Sequence, residues 1–257
     1  MRASSGRITA MAIGIPIALG SMGWGAFSMV GQLSLTSEHH EVNYPWHGGS
    51  ISLNVDSGSV RVEVGSDSAV GVAYTEHYEL KKPTVTSSVS TDGVAFKARC
   101  PGGIFDNNCF TNFVLTVPAA AQLTIHSGNG GVHLTGVTAS ASIDAGNGGI
   151  TLDDVSGDIV AHTGNGGIRG SQVRSTSVQA TTGDGGIVID WAVAPKAVVT
   201  TTGNGGVRLT VPSGSGPYRV DARTGNGGKD ISVRTDPSAS STITAHTGDG
   251  GVNIGYP

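Results

Sequence analysis

Large rings and charged groups are both scarce in this chain. Of its 257 residues only 5% are aromatic and 13% charged, which leaves little to fill a bulky globular core. With a net charge of −4 and Lys and Arg scattered along the chain, there is no basic field for nucleic acid. No Gly-x-Ser-x-Gly elbow, phosphate loop or His-Glu-x-x-His word occurs, so the usual signatures of ester hydrolysis, nucleotide binding and zinc-dependent hydrolysis are missing. No cofactor is expected. The two cysteines lack the Cys-x2-Cys spacing of a metal or redox pair. Glycine alone is abundant, at 41 residues, without the Gly-X-Y period of collagen.

The glycines are organised. Gly128-Asn129-Gly130-Gly131 returns as Gly146-Asn147, Gly164-Asn165, Gly183-Asp184, Gly203-Asn204, Gly225-Asn226 and Gly248-Asp249, each followed by two more glycines, at spacings of 18, 18, 19, 20, 22 and 23 residues. A near-constant period of that size marks stacked-coil architectures. Five and three residues before each word stand small or apolar residues, such as Leu123 and Ile125 or Ile159 and Ala161. Four and six residues after it the columns are Val, Ile or Leu, broken by Lys229 and Gly170. The residues between are polar, so each flank reads as a period-two strand with one inward face. Asn-Gly and Asp-Gly tolerate positive φ, and a corner is expected at every copy. A hairpin series and a β-solenoid share this grammar. The solenoid is preferred, because matched inward residues would form continuous aliphatic ladders at layers about 4.8 Å apart. The expected fold is all-β, a solenoid of 18–23-residue coils over residues 118–257.

Residues 1–7 carry Arg2 and Arg7, and no charged residue occurs from Ile8 to Ser37. About 20 apolar residues cross a bilayer, so residues 8–35 are expected to form one transmembrane helix, with residues 1–7 cytoplasmic and the repeats outside. A signal peptide cleaved near Ser28 is the alternative, and it would leave the chain secreted. Residues 36–50 read as a polar linker. Their histidines His39, His40 and His47 have no thiolate or second ligand word nearby, which favours a solvated tether over a metal site. Residues 51–117 contain a shortened copy about Ser57-Gly58 and further strands at 69–78, 85–89, 94–98 and 113–117. A solenoid must cover its first coil, and this region is the expected cap. Cys100 and Cys109, close in sequence and facing an oxidising compartment, are expected to form a disulfide. At the far end only Tyr256 and Pro257 follow the last copy, so the final coil is expected to pair with another chain or lie against the cell surface.

Three chemistries could draw on these residues. Calcium-binding β-rolls need a carboxylate-rich word every nine residues, whereas here the period is twice that and the variable residue is mostly Asn. Neutral Asn suits a hydrogen-bonded ladder, and no metal is expected. Two residues before each word stand His126, Asp144, His162, Thr181, Thr201, Arg223 and His246. His126, Asp144 and His162 are the best candidate constellation for a ligand or a degenerate glycan-cleaving site, but no second carboxylate accompanies them. Trp191 and Tyr218, in the longer connections, are candidate contacts for sugar or protein, or packing residues where a connection crosses a coil.

The residues now assembled resemble the DUF4097 family of β-strand-repeat proteins, often labelled adhesins. The resemblance lies in the short basic N-terminus and apolar span, Ser57-Gly58-Ser59-Val60-Arg61-Val62 and the seven Gly words. It extends to the loop from Arg99-Cys100 to Cys109 with Leu115-Thr116-Val117-Pro118 beyond it, and to Gly216-Pro217-Tyr218-Arg219-Val220. It covers most of residues 50–257. Family members usually carry Asp at the fourth place of the word, and here that place is Gly in all seven copies, which removes a column of charge. The resemblance implies a β-solenoid-like, non-catalytic cell-surface protein of actinobacterial type, with no catalytic residues to carry over. The expected role is a structural, adhesive or scaffolding module with a cell-wall, glycan or protein ligand. A sensing or envelope-stress module and a degenerate carbohydrate-active β-helix are the alternatives.

Overall fold

A computed structural model describes residues 35–102 and 108–257. The cytoplasmic segment and the membrane span expected over residues 8–35 therefore lie outside the described residues, apart from Leu35. Among the described residues every regular element is a strand, and no helix is long and apolar enough to cross a membrane. The first part of the chain forms β1 (Thr36–Pro45), β2 (Ser50–Ser57), β3 (Val60–Val64), β4 (Ala69–Tyr78), β5 (Thr84–Ser90), β6 (Gly93–Arg99) and β7 (Phe110–Val117). Each Gly word then joins two strands. The pairs are β8 (Gln122–Asn129) with β9 (Val132–Thr135), β10 (Ala141–Asn147) with β11 (Ile150–Asp153), β12 (Ile159–Asn165) with β13 (Ile168–Val173) and β14 (Ser177–Asp184) with β15 (Ile187–Trp191). They continue with β16 (Ala197–Asn204) and β17 (Val207–Thr210), β18 (Arg219–Asn226) and β19 (Lys229–Ile231), and β20 (Thr242–Asp249) and β21 (Val252–Gly255).

The copies stack in parallel and in register. Asn129 lies over Asn147, Asn147 over Asn165, Asn165 over Asp184 and Asp184 over Asn204. A hairpin series would pair them antiparallel, so the architecture is the solenoid. Every coil gives one strand to each of two sheets that meet at the Gly corner. Ile143, Ile159 and Val178 all point into the core between the sheets, together with Ile150, Leu152, Ile168 and Ile187 from the other side of the corner. The strands form because alternate residues are Val, Ile, Leu or Ala and can be buried on one face only. Val137, Val155 and Val211, on the return from one coil to the next, close the third side.

The first coil is covered by chain that reverses direction. β6 and β7 stack in parallel on β2 and β3. Their corner is closed by the Cys100–Cys109 disulfide, with Cα atoms 5.7 Å apart, where the seven copies use the Gly word. β5 and β4 then lie antiparallel on β6 and β7, and β1 lies antiparallel on β4. Residues 36–45 are thus a strand and not part of a linker. The alternation that makes them one was hidden by polarity, since the residues turned toward the sheet are Glu38, His40 and Tyr44.

The other end departs from chain order. The seventh copy fits between the fifth and the sixth, with β20 paired to both β16 and β18 and β21 to both β17 and β19. The outermost coil is therefore the sixth copy, not the last. The connections before and after it, residues 211–218 and 232–241, are the ones that must pass over an extra layer, which accounts for the two longest spacings. They are tied together by Arg234, whose guanidinium donates to the carbonyls of Gly214 and Gly216 at 2.8 and 3.0 Å. Composition explains the exchange. The sixth copy presents Lys229 where every other copy has Val or Ile, and an ammonium belongs at a solvated end and not between two layers. An inward-facing charge also blunts an open strand edge. Lys229→Ile is accordingly expected to sediment as a larger species than the wild-type chain at equal concentration. Unchanged sedimentation would mean that Lys229 does not guard the edge.

One irregularity lies inside the stack. Gly170 occupies an inward position held elsewhere by Leu or Ile, and a Cβ there would sit 2.8 Å from side-chain carbons of both Ile189 and Val173. The register shifts between Gly170 and Val173, so Val173 fills the space that Gly170 leaves empty.

Candidate functional site

The corner words are structural. The first and third glycines of each word lie against the neighbouring coil: a Cβ on Gly146 would come 2.5 Å from the Gly128 carbonyl oxygen, and one on Gly185 2.2 Å from that of Gly166. Between them the second residue builds a ladder. Asn147 Nδ2 donates to Asn129 Oδ1 at 2.9 Å, Asn165 to Asn147 at 2.6 Å, Asn204 to Asp184 at 2.5 Å and Asn226 to Asp249 at 2.6 Å. Each Asp is an acceptor served by the Asn of an adjacent layer, so amide and carboxylate are interchangeable only where a donor lies beside them. The residue before the word was not read as inward-facing. It is buried, and the hydroxyls of Thr163, Thr182, Thr202 and Thr247 each donate at 2.8 Å to a glycine carbonyl of the adjacent coil. Its signal in the sequence was the recurring Thr immediately ahead of Gly.

His126, Asp144 and His162 stack as expected, in successive layers of one sheet face. His126 Nδ1 lies 3.2 Å from Asp144 Oδ2, and both side chains are about half exposed. The pair is an exposed hydrogen-bonded contact, with Thr181 and Thr201 continuing the column. Trp191 and Tyr218 are packing residues instead of surface contacts: they are 6% and 1% exposed. The Trp191 Nε1 donates to the Ser175 carbonyl at 3.1 Å. Tyr218 packs where the two long connections cross, with its backbone N–H on the Arg234 carbonyl and its carbonyl accepting from Asp236. Burial pushes its phenol up.

A cluster absent from the sequence reading forms where β1 meets β4. Glu38, His40 and Glu76 place ligand atoms within 4.8 Å of one another. The cation there is Lys82, whose Nζ lies 2.7 Å from Glu38 Oε2 and 3.0 Å from Glu76 Oε2. His40 Nε2 adds a contact of 3.0 Å to the buried Glu76 and its ring stacks on Tyr74. His39 turns to Thr75 Oγ1 instead, so the histidines of this segment do not converge. The residues lie apart in sequence and only the antiparallel pairing brings them together. Hydrogen bonds from Lys82 and Tyr78 hold the Glu38 carboxyl below its ordinary value of 4.5, and the two carboxylates push the Lys82 ammonium above its ordinary 10.5. A lowered carboxyl contributes stability above its unfolded pKa and loses it as pH falls. A raised amine contributes below its unfolded pKa and loses it as pH rises. The difference in melting temperature between wild type and Lys82→Met should therefore be fully present between about pH 4.5 and 10.5 and shrink on either side. A difference independent of pH would remove this cluster from the account.

A surface concavity lies on the other sheet face, beside the corners of the third to seventh copies. It holds about 740 Å³ and is lined by Arg169, Val188, Arg208, Asn253, Lys229 and Asp230 over a floor that includes Gly186, Gly206 and Gly251. These residues occupy one outward column, five places after the first Gly of each word, apart from Lys229, which precedes it by one. The signal of that column in the sequence is two Arg flanking a Val, with no charge repeat beyond them. Unlike the first and third glycines, the fourth glycine of the fifth word, Gly206, is not forced by the stack. A Cβ at Gly206 would meet the Gly251 carbonyl oxygen at 3.5 Å, an ordinary contact.

Residues 49–257 match the family described as Toastrack DUF4097. The chain belongs to that family. No curated protein matches it. Among solved structures, a protein described as a putative cell adhesion protein from Clostridium sporogenes ATCC 15579 is 14% identical, with a TM-score of 0.37, over 86% of this chain and 100% of that one. A putative adhesin from Bacteroides fragilis NCTC 9343 is 13% identical, with a TM-score of 0.42, over 86% of this chain and 97% of that one. Neither likeness is close enough to inform what this Toastrack chain binds. The family match covers the cap and all seven copies, so the corner word and the disulfide-closed coil sit inside one family unit.

Proposed function

We propose that this Toastrack chain is a non-catalytic, adhesin-like surface module, held to the cytoplasmic membrane by residues 8–35 and displayed outside. The observation that carries the reading is the in-register stack itself. It sets outward side chains in straight columns across many layers, a geometry suited to recognising an extended partner by repeated small contacts. The concavities along it are open to solvent, and the outward His126, His133 and His246 each lie against a carboxylate. The disulfide fits an oxidising compartment.

Full-length chain produced in a bacterial host tests both halves of the reading. It should fractionate with membranes, and a membrane-impermeant amine reagent should label it on intact spheroplasts. Polysaccharides incubated with it should keep their chain length. Labelling only after lysis would overturn the display. Depolymerisation that Asp144→Asn abolished would overturn the non-catalytic assignment.

A further inference from the structure

We infer that the open groove lined by Arg169 and Arg208 binds a linear polysaccharide bearing carboxylates. The inference rests on the surface-module reading above and assigns its ligand class. Charge is the first ground. Two cations, Arg169 and Arg208, share the outward column with one carboxylate, Asp230, in a chain whose net charge is −4. Among the described residues the arginine ion pairs are those of Arg61, Arg174 and Arg223, so the guanidiniums of Arg169 and Arg208 are committed to no carboxylate.

Spacing is the second ground. Arg169 stacks on Val188 and Val188 on Arg208, which sets the Cα atoms of the two arginines two layers apart, about 10 Å along the stack. Asn253 and Asp230 continue the row. Each planar fork matches a single carboxylate through two parallel hydrogen bonds, and a stiff chain with acidic groups at intervals can engage both. The floor admits a thin chain because Gly186, Gly206 and Gly251 carry no side chain there. They shape the groove, and the cations select the ligand.

The same residues disfavour other anions. Single-stranded nucleic acid is held by aromatic stacking, and none of the lining residues is aromatic. A protein partner would be anchored by a large side chain in a desolvated pocket, which this shallow groove does not offer.

The test uses detergent-solubilised full-length chain and polygalacturonate on a biosensor surface, with fully methyl-esterified polygalacturonate, single-stranded DNA and inorganic polyphosphate as comparisons. Polygalacturonate should bind, its affinity should fall with salt, and the neutral ester should not bind. Arg169→Ala with Arg208→Ala should weaken binding about tenfold or more. Gly206→Leu, which fills the floor, should weaken it without changing the melting temperature, and Arg61→Ala should change neither. Equal binding of the ester, tighter binding of DNA or polyphosphate, wild-type affinity in the double variant, or no binding at all would each overturn the assignment. A chain labelled at the cell surface that ignores polygalacturonate removes the groove alone. One that binds polygalacturonate but never reaches the surface removes the display alone.

Discussion

Gly185→Val is expected to destabilise the stack by about 4 kcal/mol or more, at the far end of what single substitutions do. Two independent costs meet there. The backbone of Gly185 has φ of +151°, a region that β-branched residues reach only at a cost of about 1 to 3 kcal/mol. The new Cβ would also lie 2.2 Å from the Gly166 carbonyl oxygen and 2.6 Å from its carbon. That oxygen accepts the Thr182 hydroxyl and cannot withdraw without opening the buried corner. Gly206→Ala is the matched control: the same word in the next copy, one place further on, outside the left-handed region and with its Cβ at 3.5 Å. It should stay within about 0.5 kcal/mol of wild type. Chemical denaturation of full-length chain measures both, and coincident midpoints would show that the corners do not need glycine for the stated reason.

Ile159→Ala should cost about 2 to 5 kcal/mol, the second largest effect. Ile159 is buried, with Ala141 in the layer on one side and Val178 in the layer on the other. Stability in a stacked array is close to a sum of nearest-neighbour interfaces, so a void in a central coil weakens two of them. Val220 occupies the equivalent place in the outermost coil, is only half buried and has a neighbour on one side alone. Val220→Ala should therefore cost about 1 kcal/mol or less. Equal losses at the two sites would mean that the coils do not act as layers of one core.

The two positions also mark how far one-dimensional information reached. The period of the Gly word, the small and aliphatic columns beside it and the Asn at its second place are local patterns, and each has a single cheap solution: a corner, an inward face and a side-chain ladder. The cysteine pair was legible for the same reason, since nine residues of separation leave few ways to place two thiols other than together. The polar strand β1 was not, because its inner face is held by Glu38 and His40 and not by apolar burial.

What the amino-acid sequence determined by itself was therefore the coil: its length, its corner, its buried columns and its kinship with stacked β-strand repeats. The order of the coils was decided only in three dimensions, because chain order says nothing about which layer a long connection will skip. The fold placed the Lys229 copy outermost, where its ammonium stays in water. It set Arg169 beside Val188 and Arg208 in one groove, and it drew Glu38, Glu76 and Lys82 to a single point. Those arrangements depend on contacts between residues far apart in the chain, and only the closing of the sheets could select them.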